Sequence, residues 1–276
     1  MELDSLRINR IQNSQMKKGI RKYILFLVAF AVTLDAEFDK NNSLIEFYGL
    51  ADGKVNIVLK DNIDIEGEVT SAGSLSLEDN TATTNAFIVQ KLIDANFNIA
   101  GKANLSEWAN FRSENSVSGW SSKGGQTTHI FNSEFNPCGS SSGSAVAVAS
   151  GIVDIAIGTE TNGSISCPSS INGIIGFKPT VGLVSRSGII PISSSQDTAG
   201  PMGNTLEIVA KTLEVISGYD PNDKATSFIP KDFNFNFVDV TNNRRLDGVR
   251  FGLLNADNQH PKVVEFHNEI KAIVKK

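Results

Sequence analysis

Residues 138–144 read Cys-Gly-Ser-Ser-Ser-Gly-Ser, and residues 145–151 continue as Ala-Val-Ala-Val-Ala-Ser-Gly. Glycine and serine in the first part favour a loop, whereas the small apolar residues that follow predict a helix over 142–150 that ends at Gly151. A Ser/Gly-rich linker would not lead directly into an apolar helix. Because the free N–H groups at the start of a helix favour negative charge, residues 138–144, here called the serine loop, are a candidate functional segment.

Short apolar runs alternate with amphipathic runs on both sides of the serine loop. The predicted strands cover 55–59, 97–100 and 154–157. The predicted helices outside the loop region cover 85–96 and 205–218. Strands that alternate with helices favour an α/β fold built around a central sheet.

Two polar stretches interrupt this alternation. Residues 106–137 have no periodicity and predict a long functional loop, and residues 221–247 predict a surface connection. Residues 246–254 then predict a new strand that leads into a helical tail.

Composition sets outer limits on function. The chain has 276 residues, of which 40% are hydrophobic and 20% charged, so it can bury a sizeable core. A net charge of −5 gives no basic surface for a nucleic-acid partner.

Cys138 and Cys167 show no zinc-ligand spacing and are interpreted as buried thiols rather than as a bridge or a nucleophile. The three histidines, His129, His260 and His267, are interpreted as surface residues without a role.

The N-terminal region carries the one targeting signal. An apolar run over 23–34 follows a basic cluster over 17–22, and it is too short for a stable membrane span. These features favour a signal peptide cleaved after Ala31 or Ala36, and therefore a periplasmic or secreted protein. The alternative is a helix of the mature fold in a cytoplasmic protein. The predicted domains are accordingly 1–36, a signal peptide or N-terminal helix, and 37–276.

Two further segments could carry chemistry. Residues 158–165 read Gly-Thr-Glu-Thr-Asn-Gly-Ser-Ile, a strand that ends in a turn able to point successive N–H groups into one concavity. Lys60 ends the apolar strand over 55–59, where a desolvated lysine loses its proton readily and can act as a base. Taken alone, the 158–165 turn is a weak signal, because Asn-Gly also marks ordinary hairpins. Taken alone, Lys60 would be interpreted as a surface lysine at a strand end.

Together, the serine loop, the 158–165 turn and the strand end Lys-Asp-Asn-Ile at 60–63 resemble the amidase signature family. The three segments occur in the family's order, and Ser164 follows Ser140 by 24 positions, as in the family's motif. By position, Ser164 resembles the nucleophile that forms the acyl-enzyme. Ser140 resembles the bridging serine beside a cis peptide bond, and Lys60 resembles the general base.

The resemblance implies further site residues and a reaction. The backbone N–H groups of Thr161, Asn162 and Gly163, with that of Ser164, correspond to the oxyanion hole, and Ser141 corresponds to a supporting hydroxyl. The implied reaction is cleavage of a carboxamide C–N bond without a metal or an organic cofactor. The implied fold is the amidase-signature fold, a mixed central sheet flanked by helices, with the C-terminal part missing.

Several stretches look like the peptide amidase branch, whose members remove the C-terminal amide of a peptide. They cover 104–113, 118–121, 125–126, 137–144 and 178–186. The expected substrate is therefore a small amide or a peptide amide. Ser166 stands where many members of the family have an arginine, and Asn162-Gly163 replaces the usual Gly-Gly, so recognition of an acid by that arginine is not expected.

Three alternatives follow from the same residues. The chain is shorter than members of the family, which allows an inactive, truncated fragment. The amidase subunit of a tRNA-dependent amidotransferase is the second alternative. The third is an α/β-hydrolase esterase, because residues 139–143 match Gly-x-Ser-x-Gly with Ser141 as nucleophile and His260 or His267 downstream.

Overall fold

The computed structural model describes residues 38–242, 248–253 and 259–274. It contains two compact units, Met1–Thr241 and Asn242–Lys276. The proposed signal peptide and the domain boundary at residue 36 lie outside the described residues. Within the described part, no helix has the length and hydrophobicity needed to cross a bilayer.

The first unit is built on a mixed sheet. The strands are β1 (Leu44–Phe47), β2 (Asn56–Lys60), β3 (Asn98–Ala103), β4 (Trp120–Ser121), β5 (Gly125–Gln126), β6 (Ile155–Glu160), β7 (Ile175–Gly176) and β8 (Thr198–Gly203). Six of them form one sheet in the order β1-β3-β2-β6-β8-β7, and β4 pairs with β5 separately. Strand β2 runs parallel to β3 and β6, whereas the β1, β7 and β8 pairings are antiparallel. The predicted mixed central sheet is confirmed.

The helices flank this sheet. In the first unit they are α1 (Phe87–Asp94), α2 (Ser142–Ala149), α3 (Ser166–Asn172), α4 (Leu206–Ile216) and α5 (Phe237–Asn242). The second unit has a helix of its own, α6 (Pro261–Val274). Three 3₁₀ turns cover 75–77, 107–110 and 224–228. The predicted strand over 246–254 is wrong for the described residues 248–253. These six residues are exposed and pair with no described strand, and an apolar run without a pairing partner does not form a strand.

Alternation along β2 decides which helix each side chain meets. Ile57 and Leu59 join the core formed with α1 and α4 on one face of the sheet. Val58 joins the core formed with α2 on the opposite face. Because successive strand residues point to opposite faces, Lys60 lies on the α2 face, at the carboxyl end of the strand.

Helix α2 approaches the sheet closely because its residues are small. Ser142 to Val148 are all buried, and Gly151 follows the helix with a φ of 77°. A Cβ atom at Gly143 would overlap the backbone oxygens of Ser43 and Asn104, while the Gly143 N–H donates to Asn104 O at 2.9 Å. The start of α2 is therefore fixed against the backbone where β1 begins and β3 ends.

Candidate active site

The serine loop lies where two parallel strands end. Lys60 is the last residue of β2, and Thr159 and Glu160 end the neighbouring strand β6. The first turn of α2 lies on the same side of the sheet. The carboxyl ends of parallel strands are where α/β folds commonly place their binding sites.

Lys60 is completely buried at this position. Its Nζ lies 2.7 Å from Ser140 Oγ, 2.9 Å from Thr159 Oγ1 and 3.2 Å from Thr159 O. Burial lowers its pKa from 10.5 to about 7, although the negative charges of Glu160 and Asp197 favour the protonated form. A neutral amine is therefore accessible near pH 7, within hydrogen-bond distance of a serine hydroxyl.

The serine loop is attached to β6 and to the turn that carries Ser164. The Gly139–Ser140 peptide bond is cis. Ser141 Oγ donates to Thr159 O at 3.1 Å and accepts from Thr159 N–H at 3.2 Å. The Ser141 N–H donates to Ser164 O at 3.1 Å, which places the backbone of Ser164 beside the loop.

These contacts do not support Ser141 as an esterase nucleophile. Its hydroxyl is buried and committed to the Thr159 backbone in both directions. Residues 137–139 are not a strand, so the strand–turn–helix context of a nucleophile elbow does not occur.

Residues 161–164, here called the Ser164 turn, present backbone N–H groups. Gly163 has a φ of 89°, a left-handed conformation that favours glycine. In the described part of the chain, nothing accepts a hydrogen bond from the N–H groups of Thr161, Asn162 or Ser164. Ser164 itself is buried, with 9% of its surface exposed. The turn thus offers unsatisfied donors beside a serine.

Glu160 holds in place the backbone where the Ser164 turn leads into α3, a role that the sequence interpretation missed. Its Oε2 accepts from the N–H groups of Ile165 at 2.7 Å and Ser166 at 2.8 Å, and from Ser166 Oγ at 3.1 Å. Burial opposes ionisation, but the backbone N–H groups of Ser166, Ile165 and Gly163 outweigh it and lower the pKa of Glu160. A charged residue at the end of an apolar strand was the available signal, the same one that identified Lys60.

A cavity of about 280 Å³ adjoins Thr159 and the Ser164 turn. Of its charged side chains, Arg186 forms an ion pair with Asp223 at 2.7 Å, while Asp197 accepts from Thr161 Oγ1 at 2.6 Å and Glu160 accepts from backbone N–H groups. Residues 189–192, Ile-Ile-Pro-Ile, contribute an apolar wall. The cavity can therefore hold an uncharged group next to the site.

Two interpretations of individual side chains were wrong. Cys138 and Cys167 form a disulfide, with Cα atoms 5.9 Å apart, rather than two separate thiols. The fold brings the serine loop against the Ser164 turn, a proximity that the spacing in sequence does not reveal. His129 is buried, with 6% exposed, and its Nε2 lies 3.1 Å from Ile171 O, so it is not a surface residue.

No group of three or more His, Cys, Asp or Glu residues that could hold a metal ion occurs among the described residues.

The family model for amidases matches residues 8–276. The chain belongs to the amidase family. Its similarity to individual amidases extends over most of the chain but over less than half of each relative.

A putative amidase of Arthroderma benhamiae is 39% identical over 251 residues, which cover 89% of this chain and 42% of that protein. A glutamyl-tRNA(Gln) amidotransferase subunit from Deinococcus radiodurans is 40% identical over 200 residues, or 72% of this chain and 39% of that protein. The crystal structure of the native peptide amidase of Stenotrophomonas maltophilia matches with a TM-score of 0.67 and 48% identity, covering 71% of this chain and 44% of that amidase.

Proposed function

We propose that this amidase hydrolyses a carboxamide C–N bond through an acyl-enzyme on Ser164. The observation that carries the proposal is the buried Lys60, whose pKa is lowered to about 7 and whose Nζ lies 2.7 Å from Ser140 Oγ. The hydrogen bond from Ser141 N–H to Ser164 O adds the second serine to the same site. Nucleophilic catalysis requires a nucleophile and a group that activates it, and in this proposal Ser140 relays the proton between Ser164 and the base Lys60.

In the proposed mechanism, neutral Lys60 accepts a proton from Ser140, and Ser140 accepts one from Ser164. The Ser164 oxygen attacks the amide carbonyl, and the C–N bond breaks as the proton returns to the leaving nitrogen. Water then hydrolyses the acyl-enzyme by the reverse proton transfers.

Backbone N–H groups of the Ser164 turn stabilise the tetrahedral oxyanion in this mechanism. We assign the larger part to Thr161 and Asn162, since the Gly163 N–H also interacts with Glu160. An oxyanion donor contributes roughly 3–4 kcal/mol to the transition state. Ser141 holds the serine loop to Thr159 and has a supporting role.

The proposed substrate is the C-terminal amide of a peptide, and the product is ammonia. Similarity to the Stenotrophomonas maltophilia peptide amidase, at 48% identity, supports this class. The apolar wall of the cavity supports an uncharged group next to the cleaved bond. Ser166, in place of the arginine of many members, supports a neutral amide over an acidic substrate.

The proposal is tested by incubating the chain with a panel of peptide C-terminal amides and measuring ammonia. Stopping the reaction in acid and mapping the protein by mass spectrometry should locate an acyl adduct on the peptide that contains Ser164. The proposal fails if ammonia appears while the adduct lies on another residue, or if no amide in the panel is hydrolysed.

A second candidate is the ammonia-producing subunit of an amidotransferase. The 40% identity to the Deinococcus radiodurans protein favours it. Free glutamine in the same panel separates the two, because a glutamine-specific subunit should release ammonia from glutamine and leave peptide C-terminal amides intact.

Hydrolysis should depend on pH through Lys60. The reactive form is the neutral amine, so kcat/KM should fall as the pH decreases through about 7. Two pH units lower, the rate should be roughly 1% of its plateau value. A profile measured from pH 5 to 9, with the fold monitored by circular dichroism, checks this. A flat profile between pH 5 and 7 would exclude Lys60 as the base.

Replacing Glu160 by glutamine should reduce kcat by roughly 10 to 100-fold, because hydrogen bonds to a charged acceptor stabilise the Ser164 turn more than those to an amide. The acidic limb of the pH profile should also move to lower pH, since Glu160 raises the pKa of Lys60. The measurement is the full kcat profile of the variant.

Ser166→Ala provides the matched control for this variant. It removes the hydroxyl that donates to Glu160 but keeps the carboxylate and its backbone N–H donors. It should stay within about fivefold of the parent rate, which corresponds to one modest hydrogen bond. An unshifted limb in Glu160→Gln would show that the carboxylate does not act on Lys60.

We further propose that the protein is periplasmic or secreted. The basic cluster and the apolar run at 17–34 support export, and the Cys138–Cys167 disulfide supports an oxidising compartment. Fractionation of expressing bacteria, followed by mass spectrometry of the mature N-terminus, tests this. Recovery of full-length protein in the cytoplasm alone would contradict it.

A further inference from the structure

The disulfide joins the two segments that carry the reactive serines. Cys138 lies two residues before Ser140, and Cys167 lies three residues after Ser164. The two cysteines are separated by 29 positions in sequence, and the bond holds their Cα atoms 5.9 Å apart. The bond therefore restrains the distance between the serine loop and the Ser164 turn, which the long intervening segment of chain would not restrain by itself.

On the serine-loop side, the bond restrains an unfavourable backbone conformation. Cys138 has a φ of 57°, in the left-handed region that residues with a side chain rarely adopt. Its N–H donates to Asn136 Oδ1 at 2.8 Å, and its carbonyl accepts from Ser142 Oγ at 2.6 Å. Such conformations persist only where the surroundings enforce them. Releasing the disulfide removes one of these restraints next to Ser140.

At its other end, the disulfide is connected to the Ser164 turn through one backbone hydrogen bond. Cys167 lies in the first turn of α3, and its N–H donates to Gly163 O at 2.9 Å. A displacement of Cys167 is thus passed to the peptide groups whose N–H donors face the site. The same covalent bond restrains the proposed relay serine and the proposed oxyanion donors.

Other contacts between the two segments remain when the disulfide is absent. The Ser141 N–H still donates to Ser164 O at 3.1 Å, and Asn172 Nδ2 still donates to Pro137 O at 3.0 Å. Reduction should therefore loosen the site without separating it. Both cysteines are partly exposed, so a reductant in solution can reach the bond.

We infer that the Cys138–Cys167 disulfide is a redox-sensitive positioning element of the active site, an inference that rests on the proposed function. A dithiol supplies two electrons and two protons, so that the S–S bond breaks, two thiols form and the dithiol becomes a cyclic disulfide. The reduced chain keeps its fold but hydrolyses amides more slowly. Misplacement of reacting groups by about 1 Å can cost on the order of 100-fold in rate.

The test compares oxidised and dithiothreitol-treated protein for kcat, KM and titratable thiols. We expect reduction to expose two thiols and lower kcat at least fivefold, with KM within twofold, and re-oxidation to restore the rate. The double variant Cys138→Ser/Cys167→Ser is the matched control. It should have the low kcat of the reduced protein and should not respond to dithiothreitol.

Hydrogen exchange read by mass spectrometry reports on position without relying on activity. Reduction should accelerate exchange in 138–144 and 161–167 and leave α4 unchanged. Equal kcat in both states, once two thiols are titrated, overturns the inference, as does unchanged exchange or a general loss of protection that includes α4. If the oxidised chain releases no ammonia from any amide, the proposed function has failed, and the exchange measurement alone decides whether the disulfide positions the two segments.

Discussion

Ser164→Ala is expected to lower amide hydrolysis by roughly 10⁴ to 10⁶-fold, the loss typical of a removed nucleophile. The backbone of Ser164 should stay in place, because its carbonyl accepts from Ser141 N–H and this bond does not involve the missing hydroxyl. Stability should therefore change by less than about 1 kcal/mol. Ammonia release at saturating peptide amide, with thermal denaturation in parallel, measures both quantities.

Ser170→Ala is the matched control, since Ser170 is an exposed serine on α3 six residues further along the chain. It should keep the parent activity. If Ser164→Ala retains more than about 1% of the parent rate, another group must attack the carbonyl, and the assignment of Ser164 would be wrong.

Lys60→Met is expected to reduce hydrolysis by at least about 10³-fold and, at the same time, to stabilise the fold. The decrease in the pKa of Lys60 from 10.5 to about 7 corresponds to roughly 5 kcal/mol of destabilisation at 1.36 kcal/mol per pH unit. Loss of the contacts with Ser140 and Thr159 offsets part of this gain. The net increase in the free energy of unfolding should be roughly 1–3 kcal/mol near pH 7.

The pH dependence of this gain provides a direct check. The folded chain holds Lys60 at a lower pKa than the unfolded chain, so between about pH 7 and 10.5 the unfolded state binds more protons. The stability contribution of Lys60 in the parent therefore rises with pH over that interval, and the advantage of the methionine variant should shrink. Denaturant unfolding of both proteins at pH 7 and pH 10 measures the difference.

Lys102→Met is the matched control with the opposite expected sign. Lys102 is equally buried, but its Nζ lies 3.5 Å from Asp61 Oδ1 and donates to Ile63 O at 2.6 Å. Burial lowers the pKa of Lys102 as well, although Asp61 opposes this shift. Removal of Lys102 also leaves the Asp61 carboxylate buried without its cation, a loss that outweighs the gain and should cost roughly 3–5 kcal/mol. If both methionine variants change stability in the same direction, the cost assigned to burying Lys60 is wrong.

Local patterns were sufficient to predict much of this fold. The β-branched run before Lys60 became β2, and the small apolar run after the serine loop became α2, because both signals depend on neighbouring residues in sequence. The same reasoning located Lys60 through the cost of burying a charge. It failed at the described residues 248–253, since an apolar run indicates a strand only where another strand is available to pair with it.

The features that could not be predicted from the sequence are those that depend on contacts between segments distant in the chain. The Cys138–Cys167 bond requires the serine loop to lie against α3, and no spacing in the chain encodes that contact. Glu160 was overlooked because the N–H groups of Ile165 and Ser166 become donors to one carboxylate only after the turn has formed. The antiparallel placement of β8 beside β6 likewise follows from the completed sheet.

Because α2 is so densely packed, a change in substrate specificity must come from residues outside this helix. Every residue from Ser142 to Val148 is enclosed, and even a methyl group at Gly143 has no room, so substitutions in the helix will be eliminated as failures to fold. Residues 189–192 line the neighbouring cavity from an irregular connection that is only partly enclosed. Tolerated substitutions, whether natural or from a laboratory library, should therefore accumulate in residues 189–192. Differences between related amidases in the amides that they hydrolyse should follow from differences in these residues.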